Sequence, residues 1–441
     1  MKILFVRPNP TGLIARVGRR HNRAWPPLDL LNCAALARKL NAKVDILDLQ
    51  ADNISSDKLI KKVFDATIII VTTSALDRWQ CPSIDIEKYI RFIRKLPQEK
   101  TILMGAHGTI DPKNMLQKTR VKAVIRGEPE GAIEDLVKNI PVDQIEGLSY
   151  LIKEKLQNNS DQIAVDIKSL PLPAYDLIDF KNYRYELLGH GTALIETSRG
   201  CNFCCTFCFK EMYGNGIRDK TFNQIDEEIG HVIKSGASSI YFFDLEFTFQ
   251  RQKVLHVCKI MSRHLSIKWC CQTRTDLVDK ILLQTMAKSG CRLIHYGIES
   301  GSKRILSLIK KPIDFKTTRN AIKLTHAVGI KAACFFLFGF PSETYAEMKK
   351  TLVFAKSLNP TYASFHIVTP YPKTDLYKSI VERNSSIRYY GNTVKPAILE
   401  RFTSRAFLSY YIRPRYWLYQ ALRIEPQLWI QQIKLLLGFV K

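Results

Sequence analysis

The chain has 441 residues, 46% apolar and 24% charged, which allows two or three domains with sizeable cores and excludes a disordered polymer. Eleven cysteines are too sparse for a small secreted disulfide scaffold, MKILFVRPNP lacks the apolar core of a signal peptide, and no run reaches the roughly 18 apolar residues of a spanning helix; a reducing cytoplasm is the expected setting. Sixty-six basic against 41 acidic side chains leave a formal charge of +25, which calls for an anionic counterpart: nucleic acid, an anionic bilayer or phosphorylated small molecules.

Strands are predicted at Lys2–Arg7, Val44–Leu49, Thr67–Thr73, Thr101–Gly105 and Val121–Ile125, with helices at Pro27–Leu40, Ser56–Phe64, Ile84–Leu96 and Pro129–Ile140 between them. Regular alternation of this kind reads as an open, Rossmann-like parallel sheet. Such sheets take ligands beyond the carboxyl ends of their strands. Here those ends are Thr72, Thr73 and Ser74, then Gly105 to Thr109 with Gly108, and Arg126 to Glu130 with Gly127. Leu156–Ser160 reads as a turn and LPLPA at Leu170–Ala174 as a proline-punctuated connection, which puts a domain limit near Leu170.

A second alternation follows. Strands are expected at Ala193–Thr197, Ser239–Asp244, Ile267–Thr273, Arg292–Ile298, Lys331–Phe338 and Ala363–Val368, with helices such as Phe222–Lys234 and Asp279–Lys288 between. Six βα units suggest a partial TIM-type (β/α)6 barrel. The expected organisation is α/β throughout, with domains over 1–170, 171–379 and 380–441. The last segment is short, helical, basic and aromatic. Phe402, Arg405, Phe407, Tyr410, Tyr411, Arg413, Tyr416, Trp417, Arg423 and Trp429 crowd it, Pro414 and Pro426 interrupt any continuous helix, and Leu428–Val440 is apolar but too short to span a bilayer.

The sharpest motif is TSRGCNFCCTFC at Thr197–Cys208, directly after a predicted strand. Cys201, Cys205 and Cys208 follow a C-x3-C-x2-C spacing, so three soft thiolates on one short loop can hold three irons of a 4Fe-4S cluster and leave the fourth open. Cys204 permits a second parsing into two C-x2-C pairs of the zinc type. Four thiols within eight residues fit poorly around one tetrahedral ion, and Cys204 is read as a non-ligand.

This loop resembles that of the radical S-adenosylmethionine superfamily. The resemblance implies that the open iron chelates S-adenosylmethionine, whose reductive cleavage yields a 5′-deoxyadenosyl radical able to abstract an unactivated hydrogen. Phe242–Thr248 (FFDLEFT) is similar to the family's second-strand motif, with Leu245 where many relatives carry a second aspartate, so Asp244 and Glu246 are candidate contacts. WCCQTRTD at Trp269–Asp276, YGIESGS at Tyr296–Ser302, FGFPSET at Phe338–Thr344 and TPYPKT at Thr369–Thr374 continue the match, and by resemblance Arg274 and Glu299 are the main polar contacts to S-adenosylmethionine. Each also has a plain structural reading: Glu299 as a helix cap, Arg274 in an internal ion pair, Gly339-Phe-Pro as a turn. Cys270, Cys271, Cys291 and Cys334 read as small buried hydrophobes.

A parallel α/β domain ahead of such a barrel resembles the cobalamin-binding domain of one subgroup, the class B methyltransferases, and PPLDLL, MGAHGT and RGEPE conform to it. The subgroup implies cobalamin bound by Thr72–Ser74, Gly105, Gly108 and Gly127, and methylation of an unactivated carbon or phosphorus. No Asp-x-His-x-x-Gly loop occurs, so His107 is read as a loop histidine. Family analogy adds an apolar, lipid-like or isoprenoid-like substrate and a flavodoxin or ferredoxin as electron donor. The arginine-rich, aromatic composition of the tail suits a peripheral contact with an anionic membrane, and equally a packing of these aromatics against the barrel that closes its mouth. The other readings are cobalamin-free radical cyclisation, rearrangement or coupling of a lipid or tetrapyrrole, transfer-RNA methylthiolation, and a non-catalytic membrane or RNA adaptor. Nucleic acid is not the expected partner. Only Cys33 and Cys81 precede the loop, and the tail shows no β-barrel pattern.

Overall fold

The computed structural model describes residues 1–9, 24–51, 56–83, 86–185, 187–214, 216–381 and 394–421. They belong to two compact units. One holds the first strand, the chain from its first helix through Asn202, and Phe209–Ser239; the other holds Phe203–Cys208 and the chain from Ile240 onward.

The first unit runs β1 (Lys2–Arg7), α1 (Leu28–Lys39), β2 (Lys43–Asp48), α2 (Ser56–Asp65), β3 (Ile68–Thr72), α3 (Glu87–Ile93), β4 (Thr101–Met104), α4 (Ala106–Ile110), α5 (Pro112–Thr119), β5 (Ala123–Ile125), α6 (Glu130–Val137), β6 (Leu148–Ile152) and β7 (Lys155–Asn158). The sheet order is β2-β1-β3-β4-β5-β6-β7. The strands β1 to β5 pair in parallel, and β6 and β7 add an antiparallel edge. Helices cover the parallel strands, so Leu4, Val6, Ile69, Val71, Leu103 and Val124 are buried against Val63, Ile93, Met115 and Leu116. The chain reverses direction across the sheet between β1 and β3, where ligands of doubly wound sheets sit.

Leu156–Ser160, read as a turn, is mostly strand. The true turn lies just before it at Lys153 and Glu154, both with positive φ (46° and 63°). Neither is a glycine or asparagine, so the usual hairpin signal is missing from the sequence.

After a two-residue ribbon, β8 (Arg184–Tyr185) with β9 (Gly189–His190), come β10 (Thr192–Ile195), β11 (Ser198–Gly200), β12 (Ile217–Asp219) and α7 (Phe222–Lys234). Thr221 and Gln224 form a capping box at the start of α7. The rest is β13 (Ser239–Phe242), α8 (Arg251–Met261), β14 (Lys268–Thr273), α9 (Lys280–Lys288), β15 (Cys291–Glu299), α10 (Lys303–Leu308), α11 (Phe315–Ala327), β16 (Lys331–Phe338), α12 (Tyr345–Leu358), β17 (Tyr362–Ile367), α13 (Asp375–Val381), α14 (Pro396–Tyr411) and α15 (Pro414–Ala421). The sheet of six strands has the order β10-β13-β14-β15-β16-β17, and β14 to β17 are parallel, as an open βα barrel requires.

All predicted strands are present, with ends shifted by at most two residues. Pro414 opens α15 at its first position, where a missing N–H costs nothing. The aromatic side chains of this end pack inward: the Tyr410 hydroxyl donates to Pro360 O at 2.5 Å, Tyr416 to Thr361 O at 3.0 Å, and Tyr411 bonds both Ala363 N and Ala363 O at 2.9 Å. Residues 84–85 of the third predicted helix, and Arg423, Pro426, Trp429 and the run 428–440, lie outside the described residues.

Candidate active site

In the first unit the strand β11 delivers the chain to Cys201. It pairs antiparallel with β12, and a Cβ on Gly200 (φ 95°) would collide with the carbonyl oxygen of Gly216. Only glycine lets the two backbones approach this closely immediately before the first cysteine. In the second unit, Cys208 N donates to Cys205 O at 3.2 Å, Thr206 N to Ile309 O at 3.0 Å, and Leu376 N to Thr206 O at 2.9 Å, so backbone bonds anchor the loop. Phe207 packs edge-on against Phe340 (5.9 Å), and Phe203 lies under the Arg274 guanidinium (4.1 Å). Cys204 is exposed, while Cys201, Cys205 and Cys208 are half-buried. Among the described residues no three His, Cys, Asp or Glu side chains gather as one shared ion demands. A cubane makes a different demand, since its thiolates bind separate irons.

Around Cys205 the second unit concentrates charge. Burial pushes its thiol pKa up, while the Lys311 and Arg274 cations pull it down and Glu299 and Glu246 push it up. The first side chain after β13 to join this group is Glu246, whose carboxyl is pushed up to about 7 by burial despite Lys311 and Arg274. Its Oε2 is buried with no hydrogen-bond partner among the described residues. Glu299, at the end of β15 with φ 64°, accepts from Lys311 Nζ at 2.8 Å, and both are buried. Arg274 grips Asp276 through two bonds, 2.9 and 2.7 Å.

Thus Glu246, Arg274 and Glu299 come together near Cys205. Asp244 is directed elsewhere, into a buried ion pair with Lys253 of α8 at 3.2 Å. Glu299 caps no helix, because Ser302 caps α10. Lys311 was not anticipated. Its only signal is a lysine set among the core residues Leu306, Ile309 and Ile313, where a charge needs a partner.

At the carboxyl edge of the first sheet, Thr72 Oγ1 donates to Asp29 Oδ2 (2.9 Å), Thr73 Oγ1 to Met104 O (3.0 Å), and Ser74 Oγ accepts from Ala106 N (2.7 Å). A Cβ on Gly105 would press on Ser74, and one on Gly108 would collide with Val124, whereas Gly127 (φ 73°) has nothing within 4 Å of that position. His107 is buried with Nε2 2.7 Å from Ser83 O, and burial lowers its pKa.

Two family models match the chain: the B12 binding domain over residues 17–137 and the radical SAM superfamily over residues 195–355. An uncharacterized methyltransferase of Pyrococcus horikoshii is 32% identical, the match covering 94% of this chain and 93% of that one. The chain belongs to the B12-binding radical SAM family. It is also 27% identical to an anaerobic magnesium-protoporphyrin IX monomethyl ester cyclase of Cereibacter sphaeroides, over 91% of this chain and 68% of the other. Its fold matches the radical S-adenosylmethionine methyltransferase TsrM of Kitasatospora setae, solved with cobalamin and a [4Fe-4S] cluster, with a TM-score of 0.70 at 16% identity, covering 87% and 75% of the two chains.

As a B12-binding radical SAM protein the chain is an enzyme of the methyltransferase type, and its cofactors are a 4Fe-4S cluster, S-adenosylmethionine and cobalamin. The residues fit these groups. Three thiols on one short loop would supply the soft donor set, and Glu246 Oε2, without a hydrogen-bond partner among the described residues and near Lys311 and Arg274, suits a ligand carrying both an ammonium and a carboxylate. The open position at Gly127 leaves a carboxyl-edge loop free to approach a corrin. No helix among the described residues is long and apolar enough to cross a membrane.

Proposed function

We propose that the enzyme methylates an unactivated carbon of an apolar, lipid-like or isoprenoid-like metabolite. One observation carries the apolar substrate. On the barrel sheet, Tyr241, His295, Phe335 and His366 stack in succession, with ring centroids 5.5, 5.6 and 6.4 Å apart. The register puts Gly297 opposite Phe335 and Leu337 opposite His366, on the side away from the helices, since the alternate residue Tyr296 bonds Thr325 of α11. Phe335 and Leu337 stay partly exposed on this inner face, whereas Cys334, Phe336 and Phe338 on the helix side are fully buried. A partly open, aromatic inner wall suits an apolar guest.

Cys201, Cys205 and Cys208 hold the cluster. Glu246 receives the ammonium of S-adenosylmethionine, while Arg274 and Lys311 face its carboxylate and Glu299 orients Lys311. Thr72, Thr73, Ser74, Gly105, Gly108 and Gly127 form the cobalamin-side loops. The bound cofactors supply one-electron cleavage of the sulfonium and a methyl carrier. Electrons come from a small carrier such as flavodoxin or ferredoxin.

A peripheral membrane contact is favoured by exposed apolar residues of the C-terminal helices, Ile412 beside Arg405 at the end of α14 and Leu418 on α15, which are 61% and 69% exposed. The cyclase relative keeps a second reading in view, radical cyclisation of a tetrapyrrole.

The test is anaerobic reconstitution of the full chain with iron, sulfide and hydroxocobalamin, followed by a strong reductant and methyl-deuterated S-adenosylmethionine with a lipid extract. The expected products are 5′-deoxyadenosine, S-adenosylhomocysteine and label in the organic phase, all lost in Cys205→Ala. Deuterium found only in water-soluble products overturns the apolar substrate, and absence of both nucleosides overturns the chemistry.

A further inference from the structure

Arg199 lies on β11, two residues before Cys201, and is buried completely. Its guanidinium donates to Glu196 at 3.0 and 2.9 Å and to Glu130 Oε1 at 2.8 Å, sits 3.6 Å from Glu128 Oε1, and packs over the Trp79 ring at 5.7 Å. Arg218, its partner across the β11–β12 pair, grips Glu128 through both terminal nitrogens. Three acids and two arginines are therefore packed together in the first unit.

The acids come from two different places. Glu196 precedes the cysteine loop, whereas Glu128 lies in the loop after β5 and Glu130 opens α6 directly behind it, at the carboxyl edge where the B12-binding sheet takes its ligand. The same edge makes two more attachments. Thr109 Oγ1, which accepts from Gly127 N at 2.8 Å, lies 3.1 Å from Met212 Sδ, and Trp79, whose Nε1 donates to Ser74 O at 3.1 Å, meets Tyr213 edge-on at 5.5 Å. Loops following β3, β4 and β5 are each fastened to the segment that flanks the cysteines.

Fixed charges in a core are a costly way to gain stability, because apolar residues of similar volume pack as well or better; their attested use is to fix one register. A planar guanidinium forked between acids from two loops moves only if both loops move. We propose that Arg199 is a positioning residue that couples the corrinoid loops to the cluster loop, so that filling the corrinoid site alters the setting of Cys201 and with it the reduction potential of the cluster. The effect is reciprocal, since coupling between two bound groups acts equally on both. This inference rests on the cluster and corrinoid assignments above.

The experiment is a potentiometric titration of the reconstituted full chain, followed by electron paramagnetic resonance, with and without hydroxocobalamin. The wild type is expected to shift its cluster midpoint when corrinoid binds. Glu130→Gln keeps the side-chain volume and an acceptor but removes the charge, and is expected to at least halve that shift while iron content and bound corrinoid stay at wild-type levels. Trp79→Phe, which keeps the aromatic packing, provides a second variant with the same expectation. Arg199→Lys, which keeps the charge but loses the fork, should also decouple, and Arg199→Lys behaving as wild type would overturn the role given to the guanidinium. An unshifted wild-type midpoint, or a full shift in Glu130→Gln, overturns the coupling. A wild type without iron or without corrinoid overturns the assignments beneath it as well, and those contents are measured first.

Discussion

Asp29, the acid of PPLDLL, shows what a single carboxyl costs when buried. It accepts from Thr72 through Oδ2, its Oδ1 has no hydrogen-bond partner among the described residues, and burial pushes its pKa up from 3.8 to about 7. A raised carboxyl pKa means that the folded chain binds more protons than the unfolded one between about pH 4 and 7, so stability falls as pH rises through that window and the full penalty stands above it. Asp29→Asn should therefore flatten the pH dependence, gaining relative to wild type between pH 5 and pH 8, with a ceiling of ~3 kcal/mol over that interval. Urea unfolding at the two pH values measures it; an equal difference at both would contradict the account. Lys311 offers the complementary case of a buried cation that is paired. Lys311→Gln keeps a donor but loses the charge, and should weaken S-adenosylmethionine binding to the cluster-loaded chain by about 10- to 100-fold, the range expected for a lost charge-assisted hydrogen bond, as measured by equilibrium dialysis. That Arg274, Glu246 and Glu299 gather near Cys205 was legible because they sit inside strand-end motifs. Lys311 was not, because it follows a short helix and reaches the group only through the fold.

At the scale of elements, long continuous apolar runs such as Lys331–Phe338 could be read directly, because a parallel strand with helices on one face and the barrel interior on the other selects apolar residues throughout. The strands β11 and β12, three residues each, carry too little sequence to show a period, and β11 contains the arginine on which the buried network turns. The β6–β7 hairpin was missed for a different reason. Its turn uses Lys153 and Glu154 in left-handed conformations that glycine and asparagine adopt at lower cost. Glu154→Gly, or Lys153→Asn with it, should relieve that strain and raise stability by about 0.5–1 kcal/mol, seen as a higher thermal midpoint with unchanged far-ultraviolet circular dichroism. A lowered midpoint would show that the turn is held by its side chains.

For the molecule as a whole, a formal charge of +25 is larger than the recognition of one small substrate and three cofactors explains. Part of the basic, aromatic C-terminal segment is accounted for by packing, since Tyr410, Tyr411 and Tyr416 are buried against the chain around β17. What that packing leaves outside includes exposed apolar and basic groups, Ile412 beside Arg405 and, on α15, Leu418. The two components respond differently to salt. Attraction of surface cations to anionic headgroups acts over a Debye length of about 10 Å at 0.1 M salt and only about 3 Å at 1 M, whereas insertion of apolar side chains persists. Binding to vesicles containing phosphatidylserine is thus expected at low ionic strength, weakening several-fold between 0.1 and 0.5 M salt toward the weaker level expected on neutral phosphatidylcholine. Ile412→Ser combined with Leu418→Ser should reduce what remains at 0.5 M while leaving the fold unchanged, because neither side chain is buried. Vesicle sedimentation at the two salt concentrations separates the alternatives: salt-independent binding would assign the contact to apolar insertion alone, and no binding at 0.1 M would return the excess charge to a soluble anionic partner.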